Sequence, residues 1–553
     1  MFKRFDLNQF DRSSSSENIF RLSEKEDEFS GLCLSQNFEK KCLVLERDYF
    51  SKTHCYFQII NDELLISDNL ADFTLELEDI SAFEIASFIF SSFFTKPYTT
   101  FYKNIYRLPV GSCCEVTKSG FHIFYKKQAF VKPDISLIDL LKHSIQNYIA
   151  PYVRIAAHVS GGLDSSGLAS ILKTYYPEKH THFCAVDAGH DTLSEKVYQD
   201  AFQEKFKEKI NFYTSETDAV TFLEDYATAF SEPPTTFTLP FLNYNLLKEL
   251  QAQGYEAIVM GNDGDDVLGH GYEYLDILIK NQNVPALKLA FKNIAQSGAL
   301  SVKYPEWELF SESKKYNLGL LFFLSRHRVS SGIGTFRVLV LLSKLCFGLG
   351  GFGTRLQQML NGKLTYFKTR KYSDLKSVLG SVETPEPSQL HITSDTFKEQ
   401  TAVSEIQMGS NHFFYNLSKL VGVKILSPFQ DLELLSYCEN VPLKEKFGDG
   451  YGRAFYRNEL TGILPDRIRT RIHKTTFDNW VIESIKKLLI QSQQSDFSPL
   501  LFKFVKQSFV NDTISTFQNA KDGSQTQKSL AMRVFRIISV NIWLLSFSKN
   551  EKT

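Results

Sequence analysis

Seven consecutive residues, Ser160-Gly161-Gly162-Leu163-Asp164-Ser165-Ser166, carry the strongest chemical signal in the chain. Paired glycines let backbone N–H groups approach an anion closely, and a helix opening at that point adds donors and a favourable dipole. The hydroxyls of Ser160, Ser165 and Ser166 can donate further bonds, and Asp164 can hold Mg²⁺ against phosphates. The bland reading is a serine-capped, Gly-rich turn. The spacing fits neither GxxxxGK[ST] nor GxGxxG, so the common mononucleotide and dinucleotide loops lose ground. A second segment is acidic: Gly261-Asn262-Asp263-Gly264-Asp265-Asp266. Its bland reading is a solvated loop, and an EF-hand lacks the bidentate glutamate at the required place. If both segments sit at strand ends on one sheet edge, Asp164 and Asp265 could share one Mg²⁺ between them.

The surrounding pattern supplies such an edge. Val153–Val159 reads as a short apolar strand, followed by a helix over Ser165–Tyr176 that stops before Pro177. His182–Val186 reads as the next strand and Ser194–Lys205 as the next helix. After Phe212 the rhythm loosens, and Ala257–Met260 is one more buried strand. Strands alternating with helices predict a doubly wound parallel sheet. Asp134–Tyr148 has apolar residues at helical spacing and opens this second unit. Before it, Cys42–Leu45, Tyr56–Ile60, Glu63–Ser67, Ser112–Val116 and His122–Tyr125 read as short strands with turns between them. Residues 276–400 read as a helical, irregular insert, and no internal repeat is visible.

At 553 residues the chain is too long for one core, so two or more domains are expected. A net charge of −1, spread evenly, argues against a broad basic face and hence against a nucleic-acid partner. The eight cysteines include no CxxC pair, which excludes zinc-knuckle and thioredoxin-like readings. Scattered cysteines suit a reducing cytoplasm. The first residues lack the apolar core of a signal peptide. The most apolar run, Val338–Phe352, is interrupted by Lys344 and falls short of the about 20 residues of a span, so no membrane span is expected.

Ser160–Ser166 is similar to the SGGxDS pyrophosphate loop (PP-loop) of the N-type ATP pyrophosphatases. The downstream segments resemble the asparagine synthetase and β-lactam synthetase branch. Gly261–Gly269 is similar to its G-E-G-A-D-E-L-F-G segment, and Pro428-Phe429-Gln430-Asp431 to its P-F-L-D. Arg457, Leu464-Pro465 and Arg471-Ile472-His473-Lys474 resemble its arginine, LP and R-x-x-K stretch. The order matches over residues 135 to 480. The resemblance implies an ATP-dependent carbon–nitrogen ligase that uses ATP and Mg²⁺. A carboxylate becomes an acyl-adenylate with loss of pyrophosphate, and an amine then displaces AMP. It also implies nucleotide contacts at Val159, Ser160, Gly161, Gly162, Asp164, Ser165, Ser166, Ala185, Val186, Met260, Gly261, Arg453 and Arg457, and metal ligation by Asp164 and Asp265. Lys474 would stabilise the charge developing on the adenylate, and Glu195 resembles the acidic residue of the family's D-E-S segment. Lys424 and His473 are read as structural, and His270 is an extra residue against the family's G-G-Y.

The N-terminal part resembles a degenerate glutaminase-like domain. Glu46-Arg47-Asp48 through Ser67-Asp68 is similar to the family's R-D…SE part, and Arg107–Gly111 to its L-P-P-G. The expected architecture is therefore a β-rich α+β unit over residues 1–128, then a parallel-sheet synthetase unit with a helical insert over residues 129–553. The glutaminase nucleophile is a cysteine directly after the initiator methionine, whereas here that residue is Phe2 and Cys33 is the first cysteine. Glutamine hydrolysis is thus expected to be absent. The family's assisting glutamate is Asn262, which cannot take a proton. Lasso-peptide macrolactam cyclases share the lost nucleophile, the varied segment and a large insert. They are the nearest in character, with a precursor peptide and a leader-processing protease as partners. A small carboxylate joined to free ammonia, as in an asparagine synthetase, is the second reading. A non-catalytic nucleotide- or peptide-binding relative is the third, and the intact Asp164, Asp265 and Lys474 count against it.

Overall fold

A computed structural model describes residues 2–7, 19–21, 32–37, 40–51, 53–91, 94, 96–125, 129–187, 189, 193–214, 218–236, 240–296, 310–331, 391–394, 405–448, 450–471, 477–493 and 497–550. The N-terminal part is two β-sheets face to face. One has the antiparallel order β1-β6-β5-β7, from β1 (Phe2–Asp6), β5 (Tyr56–Ile60), β6 (Glu63–Ser67) and β7 (Tyr106–Arg107). The other has the order β14-β9-β8-β4-β3-β2, from β2 (Ile19–Arg21), β3 (Leu32–Asn37), β4 (Cys42–Arg47), β8 (Ser112–Thr117), β9 (Gly120–Tyr125) and β14 (His391–Ser394). Alternating apolar residues of both sheets share one core, which includes Leu34, Leu45, Phe57, Ile66, Cys114 and Phe121. Phe57 of β5 meets Phe121 of β9 edge-on at 5.0 Å, joining the two sheets. Strand β14 pairs in parallel with β9, so a segment about 270 residues downstream completes the N-terminal sheet.

The second unit is built on a five-stranded, all-parallel sheet. Its order is β12-β11-β10-β13-β15, from β10 (Ile155–His158), β11 (Thr181–Asp187), β12 (Asn211–Thr214), β13 (Ala257–Val259) and β15 (Lys424–Leu426). Successive residues point to opposite faces, and both faces are covered, as a parallel sheet requires. Ile155, Ala157 and Val259 pack with the helices Leu137–Ile149, Leu163–Tyr175 and Leu432–Glu439. Ala156, Ile258 and Met260 pack with Ala219–Phe230, Tyr244–Ala252, Glu405–Val421 and Gln525–Asn550.

Two expectations need correction. The strand at Val153–Val159 begins only at Ile155, because the Val153 and Arg154 N–H groups donate to Glu256 Oε2 at 2.7 and 2.8 Å instead of joining a ladder. The rhythm does not loosen after Phe212: β12 and the helices Ala219–Phe230 and Tyr244–Ala252 continue the winding. Among the described residues the insert contributes the helices Tyr274–Lys280, Val284–Gln296 and Glu312–Ser331, which share an apolar cluster. The apolar run Val338–Phe352 lies outside the described residues. Among those described, one helix is long and apolar enough to cross a membrane, Thr526–Phe547, and 67% of that window is buried. It holds Trp543 against Phe101 at 5.1 Å, and the Arg536 Nε donates to Ile89 O at 3.0 Å, so it serves as a core helix beneath the N-terminal unit.

Candidate active site

The two chemical segments interlock at the carboxyl edge of β10 and β13. In the first, Gly161 takes the left-handed region at φ 76°, which few side chains tolerate. The serine hydroxyls close the turn: Gly161 N–H donates to Ser166 Oγ at 3.1 Å, Gly162 N–H to Ser160 Oγ at 3.1 Å, and Ser160 N–H to Ser165 Oγ at 3.2 Å. Gly162 is the N-cap, so the helix starts at Leu163, two residues earlier than expected, and Asp164 lies in its first turn. The second segment lies directly against it. A Cβ on Gly261 would sit 2.4 Å from Ser165 N, and one on Gly264 would sit 2.8 Å from Asp164 Cγ. Only glycine at these two positions lets the turns touch.

That contact brings the carboxylates together around a third residue. Arg453 Nη1 lies 2.6 Å from Asp164 Oδ1, 2.8 Å from Asp164 Oδ2 and 2.7 Å from Asp265 Oδ1. Burial works against the Arg453 charge, but Asp164 and Asp265 outweigh it and its pKa is raised. Arg457, four residues on, is lowered to about 10, first by burial and then by the like charge of Arg453. Its Nε donates to Gly452 O at 3.3 Å. Two hard carboxylates focused on one cationic nitrogen form a donor set that suits Mg²⁺, with the guanidinium as the stand-in cation. Among the described residues no cluster of three His, Cys, Asp or Glu could hold a metal. Two protein ligands plus phosphate oxygens is the usual way Mg²⁺ is bound beside a nucleotide.

A cavity of about 460 Å³ opens over this pair. Of the sequence-predicted residues, Ser160, Gly162, Asp164, Ser165, Ala185, Val186, Glu195, Met260, Gly261, Asn262, Asp265, Arg453 and Arg457 line it. Val159 and Ser166 are buried behind the lining, and Gly161 forms the turn between them. Lys474 and His473 lie outside the described residues. Lys424 is an exposed first residue of β15.

The cavity also has residues that sequence reasoning passes over. In sequence Arg471 is only the start of the R-x-x-K stretch. Its Nη1 donates to Gly161 O at 2.8 Å and lies 3.5 Å from Glu195 Oε1, and its guanidinium stacks over Tyr198 at 4.1 Å. Glu195, 8% exposed, is therefore a partner of Arg471 at the base of the loop. His158 lines the cavity too, with burial pushing its pKa down to about 4. Gln430, from the PFQD segment, donates from Nε2 to Asp263 and, at 2.8 Å, to Asn411 Oδ1, while Asp431 caps the helix Leu432–Glu439. Asp263 holds a left-handed φ of 64°. Asn262 Nδ2 is buried with no partner among the described residues. His270, the extra residue, stacks on Tyr272 at 5.4 Å and packs against Gly452, where a Cβ would be 2.9 Å away. It thereby supports the turn that presents Arg453. Leu242, Phe414 and Phe477 add apolar surface to the cavity lining.

A family model described as asparagine synthase matches residues 136–545. No curated protein matches the chain.

Proposed function

Because the chain belongs to the asparagine synthase family, we propose that it activates a carboxylate as an acyl-adenylate and passes the acyl group to an amine, releasing AMP and pyrophosphate. The chain is an ATP-dependent ligase of that family. The observation that carries the finer reading is the interlock of the two loops, with Asp164 and Asp265 meeting at one point beside the serine-rich turn.

In this reading the Ser160 and Ser165 hydroxyls and the start of the helix Leu163–Tyr175, which face the cavity, hold the phosphates, while Gly161 N–H and Ser166 Oγ close the turn behind them. Ala185, Val186, Met260 and Gly261 border the nucleoside, with Val159 buried behind them. Asp164 and Asp265 hold Mg²⁺, which when bound neutralises phosphate charge and eases loss of pyrophosphate. Arg457 clamps a phosphate, Lys474 stabilises charge on the adenylate, and Glu195 fixes Arg471 under the loop. Asn262 cannot accept a proton, but its Nδ2, which has no partner among the described residues, can donate to the acyl oxygen.

We favour a peptide macrolactam cyclase of the lasso type, acting on a precursor peptide after a leader-processing protease. A peptide α-amine has a pKa near 7.7–8.0, so roughly a fifth to a third of it is already neutral at physiological pH and needs no strong base at Asn262. The open cavity, with Leu242, Phe414 and Phe477 in its lining, suits a substrate larger than an amino acid. The carboxylate oxygen leaves on AMP, so each ring closure removes one water from the peptide and yields one AMP and one pyrophosphate. Mass spectrometry of a candidate precursor peptide with enzyme, Mg²⁺ and ATP tests this: loss of one water with equimolar AMP supports it. Asparagine formed from aspartate and ammonium, with no peptide dehydrated, would establish the second reading instead. ADP and phosphate as products would sink both.

A further inference from the structure

Arg453 stands where the proposed chemistry puts a metal, and it is built to stand there. Its backbone is left-handed at φ 53°, a region an arginine rarely adopts, and Gly450 and Gly452 beside it have φ of 100° and 72°. This Gly-rich turn spends conformational strain to aim one guanidinium at two carboxylates. The contacts are made by Nη1, whereas Arg453 Nε is buried with no partner among the described residues. The side chain is 11% exposed, so the pairing is screened little by solvent. Asp164 and Asp265 repel each other unless a cation lies between them.

We propose that Arg453 is the resident cation of the Asp164–Asp265 pair, and that guanidinium and divalent metal are alternative occupants of it. Metal alone must expel a buried, hydrogen-bonded charge, so it binds weakly. Metal arriving with ATP brings phosphate oxygens that accept the displaced guanidinium, including its unused Nε. Arg453 thus makes metal binding conditional on nucleotide, and it positions the carboxylates between turnovers. The inference rests on Asp164 and Asp265 being the metal pair.

The test is Mn²⁺ binding by electron paramagnetic resonance, without and with ATP, in the full chain and in Arg453→Met. Without nucleotide the wild type should bind Mn²⁺ poorly. Arg453→Met should bind it at least about tenfold more tightly, because in the wild type only the small fraction of pairs that Arg453 leaves free can take the metal. Thermal melting gives a second reading. Mg²⁺ alone should raise the midpoint of Arg453→Met, which has lost the guanidinium between the two carboxylates, and leave the wild type unmoved. If Arg453→Met does not fold, Arg453→Lys, which keeps a cation but not the planar fork, should show the same effects in smaller degree. Equal Mn²⁺ affinity of wild type and variant without ATP, while both bind it with ATP, would overturn the competition and leave the metal pair standing. A gained Mn²⁺ site that survives Asp265→Asn in the Arg453→Met background would place the metal elsewhere and overturn the pair itself.

Discussion

Gly261→Ala is the sharpest test of the interlocked loops. The added Cβ would lie 2.4 Å from Ser165 N, 2.8 Å from Ser165 Cα and 2.9 Å from Asp164 C. Ordinary van der Waals contact begins at 3.4 Å, so the shortfall is about 1 Å, and every atom met is backbone. No rotamer change relieves it. The first turn of the helix Leu163–Tyr175 must move away from the end of β13, carrying Asp164 from Asp265. Overpacking of this kind costs about 1–3 kcal/mol of stability. A 1 Å misplacement of reacting groups costs on the order of 10²-fold in turnover. Gly162→Ala is the matched control: its φ is −84° and its Cβ would meet only Ser160 Oγ, at 3.1 Å. AMP release with the true substrate, together with Mg–ATP binding by calorimetry, should therefore fall steeply in Gly261→Ala and mildly in Gly162→Ala. Equal effects in the two variants, or near-native turnover in Gly261→Ala, would refute the claim that the two turns must touch.

Asp164→Asn and Asp265→Asn should each lower AMP release by on the order of 10²-fold, the scale of one preorganised electrostatic group; near-native turnover at saturating Mg²⁺ would remove them as ligands. Stability should fall on acidification. Burial, with His412 adding to it, holds His54 well below its ordinary range, and burial holds His158 at about 4. Folded values below unfolded ones mean that the unfolded chain binds more protons from about pH 6.5 down towards 4, so stability is lost as pH falls through that window. For His158 the loss stays under about 3 kcal/mol because the ring partly faces the cavity. Midpoints measured from about pH 7 to about pH 5 should drop, less steeply in His54→Gln; a flat profile contradicts the burial argument. Trp543→Ala should cost about 3–5 kcal/mol in denaturant unfolding, and a loss under about 1 kcal/mol would mean that this helix is not a core element.

What sequence makes legible here is local. Strands β5 and β6 are legible to the residue, because the turn between them, Asn61-Asp62, takes left-handed φ of 50° and 61° that its residue types favour. The Gly-Gly and Gly-Asn-Asp-Gly spacings likewise announce close backbone approach whatever the fold around them. Pairings across long stretches of chain carry no such local mark. Strand β15 lies beside β13 although more than 160 residues separate them, and β14 joins β9 from within the insert. Arg453 shows the same limit at the site. The resemblance marks it as a nucleotide contact, but what it holds depends on a left-handed turn, two nearby glycines and the meeting of two strand ends. Arg471 opens a motif in the sequence and nothing more. Its grip on Gly161 O and Glu195 appears only in the folded chain. Residue type and spacing therefore identify which groups can do the chemistry. Which of them neutralises which is decided by packing, since a buried charge takes whatever counter-charge the fold delivers within about 3 Å.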